Sequence, residues 1–188
     1  MSFETPTPTP APTTRASRKA PVGDSDTRKV LDLSIFWKTL TSQYYEFLSK
    51  VVSDPIMKQR FRLMASEERD HRKILRKYRK ELVGSSAIEL DEPERRQLKE
   101  NFVFLEVKDR ETMDVAVQCI LRAEERSTRF FNQASSRIDN REGRIFLRLL
   151  AEEGLIHKSM VDELMEYANS REVRFSKNSA AIAAAARR

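Results

Sequence analysis

The chain has 188 residues, a single cysteine, four glycines and a formal net charge of +6. That length suits one domain, no apolar run approaches the roughly 20 residues needed to span a bilayer, and one cysteine excludes both an internal disulfide and a four-cysteine metal module within the chain. Few glycines beside many Leu, Glu, Arg, Lys and Ala favour long helices over short strands and turns, so the expected class is all-α.

The charge is unevenly placed. Residues 30–170 carry 25 basic and 25 acidic side chains; residues 1–29 carry five basic and three acidic, and residues 171–188 five and one. The net charge therefore sits in the chain ends. Nucleic-acid binding would rest on those ends alone, and nucleic acid is not an expected partner.

Residues 2–14 alternate four prolines with small polar residues, a composition that cannot build a core, and residues 1–29 are read as a disordered tail. The single thiol suits a reducing, cytoplasmic setting, while the Ser, Thr and Arg content up to Arg18 leaves organellar import open. From Val30 the pattern changes. Leu31, Ile35, Leu40, Tyr44, Phe47 and Val51 recur at helical spacing and predict a first helix.

Asp54-Pro55, a capping residue followed by proline at a first helical position, predicts a second helix over about 55–83 that ends at Gly84. A long connection follows, with a short helix beginning near Asp91-Glu92-Pro93-Glu94. The third main helix takes about 110–138. Asn140 is placed to cap a fourth, which runs through Phe146, Leu150, Ile156, Met160, Leu164 and Tyr167. The alanine-rich end closes a flexible basic segment, 171–188. Residues 30–170 thus predict an antiparallel four-helix bundle of two helix pairs joined by a long crossover.

Spacing suggests that the pairs are repeats. The only two histidines, His71 and His157, are 86 positions apart, as are the turn residues Asp54 and Asn140 and the aromatics Tyr45 and Phe131. The segments 62–71 and 148–157 share Arg, Leu, Ala, Glu and His in register, five of ten positions. Composition bias could supply Leu, Ala and Glu, but it would not put both histidines at equivalent places.

Glu68 and His71 stand three apart on one helix face, close enough to grip one metal ion, and His157 holds the same register in the fourth helix. Glu124 and Glu125 precede Phe130-Phe131 on the third helix, and Glu153 lies four residues before His157. Carboxylate with imidazole suits iron, manganese or zinc. Buried carboxylates without a metal would need hydrogen-bond partners, for which Thr39, Tyr44, Tyr45 and Thr128 are the candidates.

In Glu124-Glu125-Arg126-Ser127-Thr128-Arg129-Phe130-Phe131, in Ala65 to His71 and in Ala151 to His157, the sequence resembles the ferritin-like superfamily, and most closely its rubrerythrin-type branch, over about residues 30–168. The resemblance implies a di-iron site in which each half gives one carboxylate from its first helix and a Glu-x-x-His pair from its second. It assigns Glu68, His71, Glu125 and His157 to metal ligation, with Glu124 and Glu153 as further contributors. Two implied carboxylates are absent: position 39, 86 before Glu125, is Thr39, and position 154, three before His157, is Gly154.

The function the resemblance implies is binding of iron as one or two ions, with manganese or zinc as alternatives, and ferrous iron oxidation or peroxide reduction with dioxygen or peroxide as co-substrate. An external electron donor would be needed for a reductase, and a homo-oligomer fits the fold. No catalytic residue is assigned. The alternative is a non-catalytic bundle with a vestigial site, serving as an interaction or assembly subunit.

Overall fold

The computed structural model describes residues 25–187, all of whose regular structure is helical apart from one isolated bridge between Val52 and Phe175. The elements are α1 (Ser25–Val51), α2 (Pro55–Val83), α3 (Glu92–Lys99), α4 (Arg110–Ser135), α5 (Arg141–Asn169) and α6 (Ser179–Ala186). Helices α1 and α2 form one antiparallel pair and α4 and α5 the other, and the pairs pack as a ferritin-like bundle. None of these helices is long and apolar enough to cross a membrane.

The boundaries follow from capping. The Asp54 carboxylate accepts from the backbone N–H of Ile56 and of Met57, both at 2.9 Å, and Pro55 follows where no N–H is needed. Asn140 does the same for α5, accepting from the Gly143 N–H at 2.7 Å. At the far end of α2, Gly84 adopts φ +95°, a conformation that only glycine takes without strain, and the chain leaves the helix there.

The crossover from residue 84 to 109 is pinned where it starts. Arg79 of α2, itself buried, chelates the Asp32 carboxylate of α1 and donates to the carbonyls of Ser86 and Ala87, both at 2.6 Å. Farther along, Leu90, Phe102 and Val107 are buried, and Phe102 packs edge-on against Trp37 and tilted on Tyr44. This covering makes α1 the central helix. Its polar residues Ser34, Lys38, Thr41, Ser42 and Ser49 are buried, and its serine and threonine hydroxyls donate to carbonyls three or four residues back, so no hydroxyl among them is left without an acceptor.

Two boundaries differ from the sequence reading. Helix α4 ends at Ser135 rather than near 138, because residues 136 and 137 form a turn that hands over to the Asn140 cap. The alanine-rich end, expected to be flexible, forms α6. It is held by a return of the chain, in which the Ser53 N–H donates to the Arg174 carbonyl (2.9 Å) and the Ser176 N–H to that of Val51 (2.8 Å), and by burial of Ser179 and Ala183 against the bundle. Of the expected N-terminal tail, residues 1–24 lie outside the described residues; 25–29 open α1.

The apolar core comes in two blocks. One gathers Tyr44, Phe47, Val51, Met57, Phe61, Met64, Met113, Ile120, Val161 and Leu164 at the end of the bundle that holds the α1–α2 turn. The other gathers Leu31, Ile35, Leu75, Phe131, Ile138, Leu147 and Leu150 at the opposite end. Between them lies a polar layer in which Lys38, Glu68, Glu124 and His157 are all at most 3% exposed.

Candidate metal centre

Each of the four central helices sends one side chain into this layer: Lys38 from α1, Glu68 from α2, Glu124 from α4 and His157 from α5. The choice on α4 follows from helical phase. Its buried stripe runs Ile120, Ala123, Glu124, Ser127, Phe131, and the next residue, Glu125, is turned about 100° away. Glu125, the expected ligand of α4, is accordingly exposed and paired with Lys158, outside the layer, and it is Glu124 that enters the layer.

The register then changes the identity of the departing residue on α1. Eighty-six positions before Glu124 stands Lys38, not Thr39. The Thr39 hydroxyl donates to the Ile35 carbonyl (2.8 Å) on its own helix and takes no part in the layer. The Lys38 Nζ donates to Glu68 Oε1 at 2.9 Å and lies 5.2 Å from the centre of the Phe131 ring, a buried ammonium with a carboxylate on one side and a π face on another.

Glu68, Glu124 and His157 each offer one ligand atom, and the three atoms lie within 4.8 Å of one another. His157 Nδ1 is 3.1 Å from Glu68 Oε1 and 3.4 Å from Glu124 Oε1, out of line for a hydrogen bond to either. Its Nε2 lies 3.1 Å from Glu67 Oε2, which fixes the ring and turns Nδ1 toward the carboxylates. Tyr45, fully buried, donates its hydroxyl to Glu124 Oε1 at 2.7 Å. Each carboxylate therefore has one oxygen held by the protein, while Glu68 Oε2 and Glu124 Oε2 are buried with no hydrogen-bond partner.

Protonation follows this geometry. Burial works against the charged imidazole, but the negative carboxylates of Glu124 and Glu68, both within 3.4 Å of Nδ1, outweigh it and lift the His157 pKa to about 10. For Glu68 burial again opposes ionisation, and Lys38 with His157 overcomes it and holds the carboxyl at about 2. Burial and the adjoining Glu124 push the Tyr45 phenol well above its ordinary value, so it stays a donor.

His71 lies outside the triad. Its Nε2 meets Glu153 Oε2 at 2.5 Å, its Nδ1 has no partner, and burial together with the Lys38 charge lowers its pKa. Glu153 and Glu67 are about two-fifths exposed, so these two His–Glu contacts line the seam between α2 and α5 on the outer side of the triad.

Gly154 faces the same layer. A methyl group there would sit 2.6 Å from Thr128 Oγ1 and 3.5 Å from Glu124 Oε2, so any side chain at this position would have to displace the Thr128 hydroxyl. Thr128 in turn donates to the Ala151 carbonyl at 3.3 Å, and Tyr44 bridges the crossover, its hydroxyl 3.0 Å from the carbonyls of Val103 and Ala116. Of the four expected partners of buried carboxylates, Tyr45 alone serves. Lys38, missed from sequence, is the second.

A two-ion centre does not fit this donor set, since position 38 carries an ammonium bonded to Glu68 and position 154 is a glycine that offers no carboxylate. One divalent ion does fit. Two buried carboxylates and an imidazole, one ligand atom of each within 4.8 Å of the others, are a donor set that a single iron, manganese or zinc accepts, and each carboxylate keeps one oxygen free of protein partners.

The sequence profile of the Rubrerythrin family matches residues 29–165. No curated protein matches the chain significantly. Among solved structures, a hypothetical protein from Pyrococcus furiosus is similar, with a TM-score of 0.60 and 16% identity over 74% of this chain and 88% of that one. At that identity the likeness concerns the fold.

Proposed function

Because the chain belongs to the rubrerythrin family, we propose that it is a metal-binding ferritin-like protein that takes one divalent ion, iron in the cell, through Glu68, Glu124 and His157. The observation that carries this reading is the pair of unpartnered buried oxygens, Glu68 Oε2 and Glu124 Oε2, beside an imidazole that must otherwise carry a proton to be at ease there. Buried carboxylate oxygens without partners are costly, and a bound cation removes that cost.

Bound ferrous iron would supply one electron at a time to dioxygen or peroxide. The chain's own residues do the rest. Tyr45 and Lys38 fix the two carboxylates from behind, Glu67 sets the His157 ring, and Phe61, Phe131 and Tyr45 keep water out on the core side. A reductase role needs an external electron donor, since Cys119 is the single cysteine. We read the two helix pairs as products of duplication, with the second half keeping the carboxylate on its first helix and the first half keeping its complete Glu-x-x-His pair.

A second reading is a metal-free bundle that serves as an interaction or assembly subunit, and the Lys38–Glu68 bond favours it, because the layer already contains cations of its own. Metal analysis of protein from iron-supplemented cells, set against a Glu124→Gln, His157→Gln double variant, separates the two. About one ion per chain in the native protein and almost none in the variant supports metal binding; equal, negligible metal in both supports the second reading and sinks the first.

A further inference from the structure

Lys38 is a lysine fully buried in a layer otherwise made of metal-ligand chemistry. Its counterpart at the 86-residue offset is Glu124. Exchanging a carboxylate for an ammonium changes the charge of the layer by two, which is the charge of one divalent ion. The Lys38 Nζ also sits where an ion would compete with it, 2.9 Å from Glu68 Oε1, the oxygen that His157 Nδ1 approaches at 3.1 Å. Phe131 closes the space behind it.

From this geometry we infer that Lys38 is a built-in counter-cation that stands in for a second metal ion and weakens the hold on the single ion the site takes. The inference rests on the one-ion reading above and adds to it what sets the affinity. Three observations converge on it: the Lys38–Glu68 bond, the sign reversal against Glu124, and Gly154, which leaves no fourth carboxylate to balance another ion. The amine holds Glu68 Oε1 whether or not metal is present, so the bundle has a charge-matched state without metal. An incoming ion must bind beside a fixed positive charge, which raises its dissociation constant.

The test is calorimetric titration of manganese(II), a redox-quiet divalent ion, into metal-stripped full-length protein, comparing the native chain with Lys38→Met and Lys38→Gln, with circular dichroism melts of each with and without manganese. The expected result is one ion per chain throughout, bound tighter by on the order of tenfold or more in both variants. Metal-stripped variants should melt lower than the native chain and recover on adding manganese. Affinity unchanged or weakened in both variants, two ions bound by the native chain, or variants that stay unfolded even with manganese would overturn the inference. If the native chain binds one ion and the variants bind it no tighter, only this inference fails; if none of the three binds manganese, the one-ion reading fails with it.

Discussion

His157 faces Glu67 across the seam between α2 and α5, its Nε2 3.1 Å from Oε2. A corresponding close approach has the helices exchanged: His71 Nε2 of α2 lies 2.5 Å from Glu153 Oε2 of α5, out of line for a hydrogen bond, and each carboxylate stands four residues before the histidine of its own helix. The seam is thus cross-braced by two pairs that are partly open to water, with the dry triad beneath them.

That layering separates weak pairs from strong ones. Glu67→Ala or Glu153→Ala removes a contact whose carboxylate is about two-fifths exposed, and each is expected to cost less than about 1 kcal/mol in urea denaturation. Glu68→Ala strands the buried Lys38 ammonium and should cost about 3–5 kcal/mol in metal-stripped protein. Equal costs at positions 67 and 68 would contradict the placement of the layer.

Gly154→Ala reverses the usual sign. In an exposed helix the change stabilises by about 1 kcal/mol, but here the new methyl meets Thr128 Oγ1 at 2.6 Å, and the variant should lose about 1–3 kcal/mol. Adding Thr128→Ala removes the offending oxygen. A double-mutant cycle should then return a favourable coupling, and a Gly154→Ala protein as stable as the native one would refute the close approach of α4 and α5.

Glu124 and Glu125 are neighbours with opposite fates, which makes metal content a direct assay of register. Glu125→Gln is expected to leave metal content unchanged and to shift stability by no more than about 0.5 kcal/mol, since it only frees the half-buried Lys158. Glu124→Gln should abolish binding. Loss of metal in the first variant and not the second would return the ligand to the position that helical phase denies it.

The charged layer also sets a pH window for the metal-stripped protein. His157 has a folded pKa of about 10 against an ordinary 6.5, so its contribution is complete below 6.5 and drains away as pH rises toward 10. Glu68 has a folded pKa of about 2 against 4.5, so its contribution is complete above 4.5 and is lost as pH falls toward 2. The stability lost on His157→Gln should therefore be largest near pH 5–6 and shrink steadily on the alkaline side; a difference that grew with pH would contradict the sign.

The sequence carried the helices because the signals were local: Asp54-Pro55, Asn140, Gly84 and stripes at helical spacing act within one or two turns. The site was legible only in part. Glu68 and His157 were readable from the spacing of the two histidines, but choosing between Glu124 and Glu125 needs helical phase to within 100°, and the apolar stripe from Val117 through Phe131 held that phase. Anchoring the register on Glu125 led to Thr39 and hid Lys38, since a lysine in a helix ordinarily reads as a solvated side chain. Gly154 stands out in the sequence as a glycine inside a helix, yet what it accommodates, the Thr128 oxygen on the neighbouring helix, belongs to tertiary packing and has no local signature.

The polar layer that parts the two apolar blocks has a consequence for the alignment of the helices along their axes. Leucines and phenylalanines tolerate sliding, because one apolar contact replaces another. Lys38 and Glu68 do not: displacing α2 along α1 by one turn, about 5.4 Å, would leave an ammonium facing hydrocarbon and a carboxylate facing the other block. The layer therefore works as a registration key, selecting one axial alignment of four long helices whose apolar stripes alone would accept several.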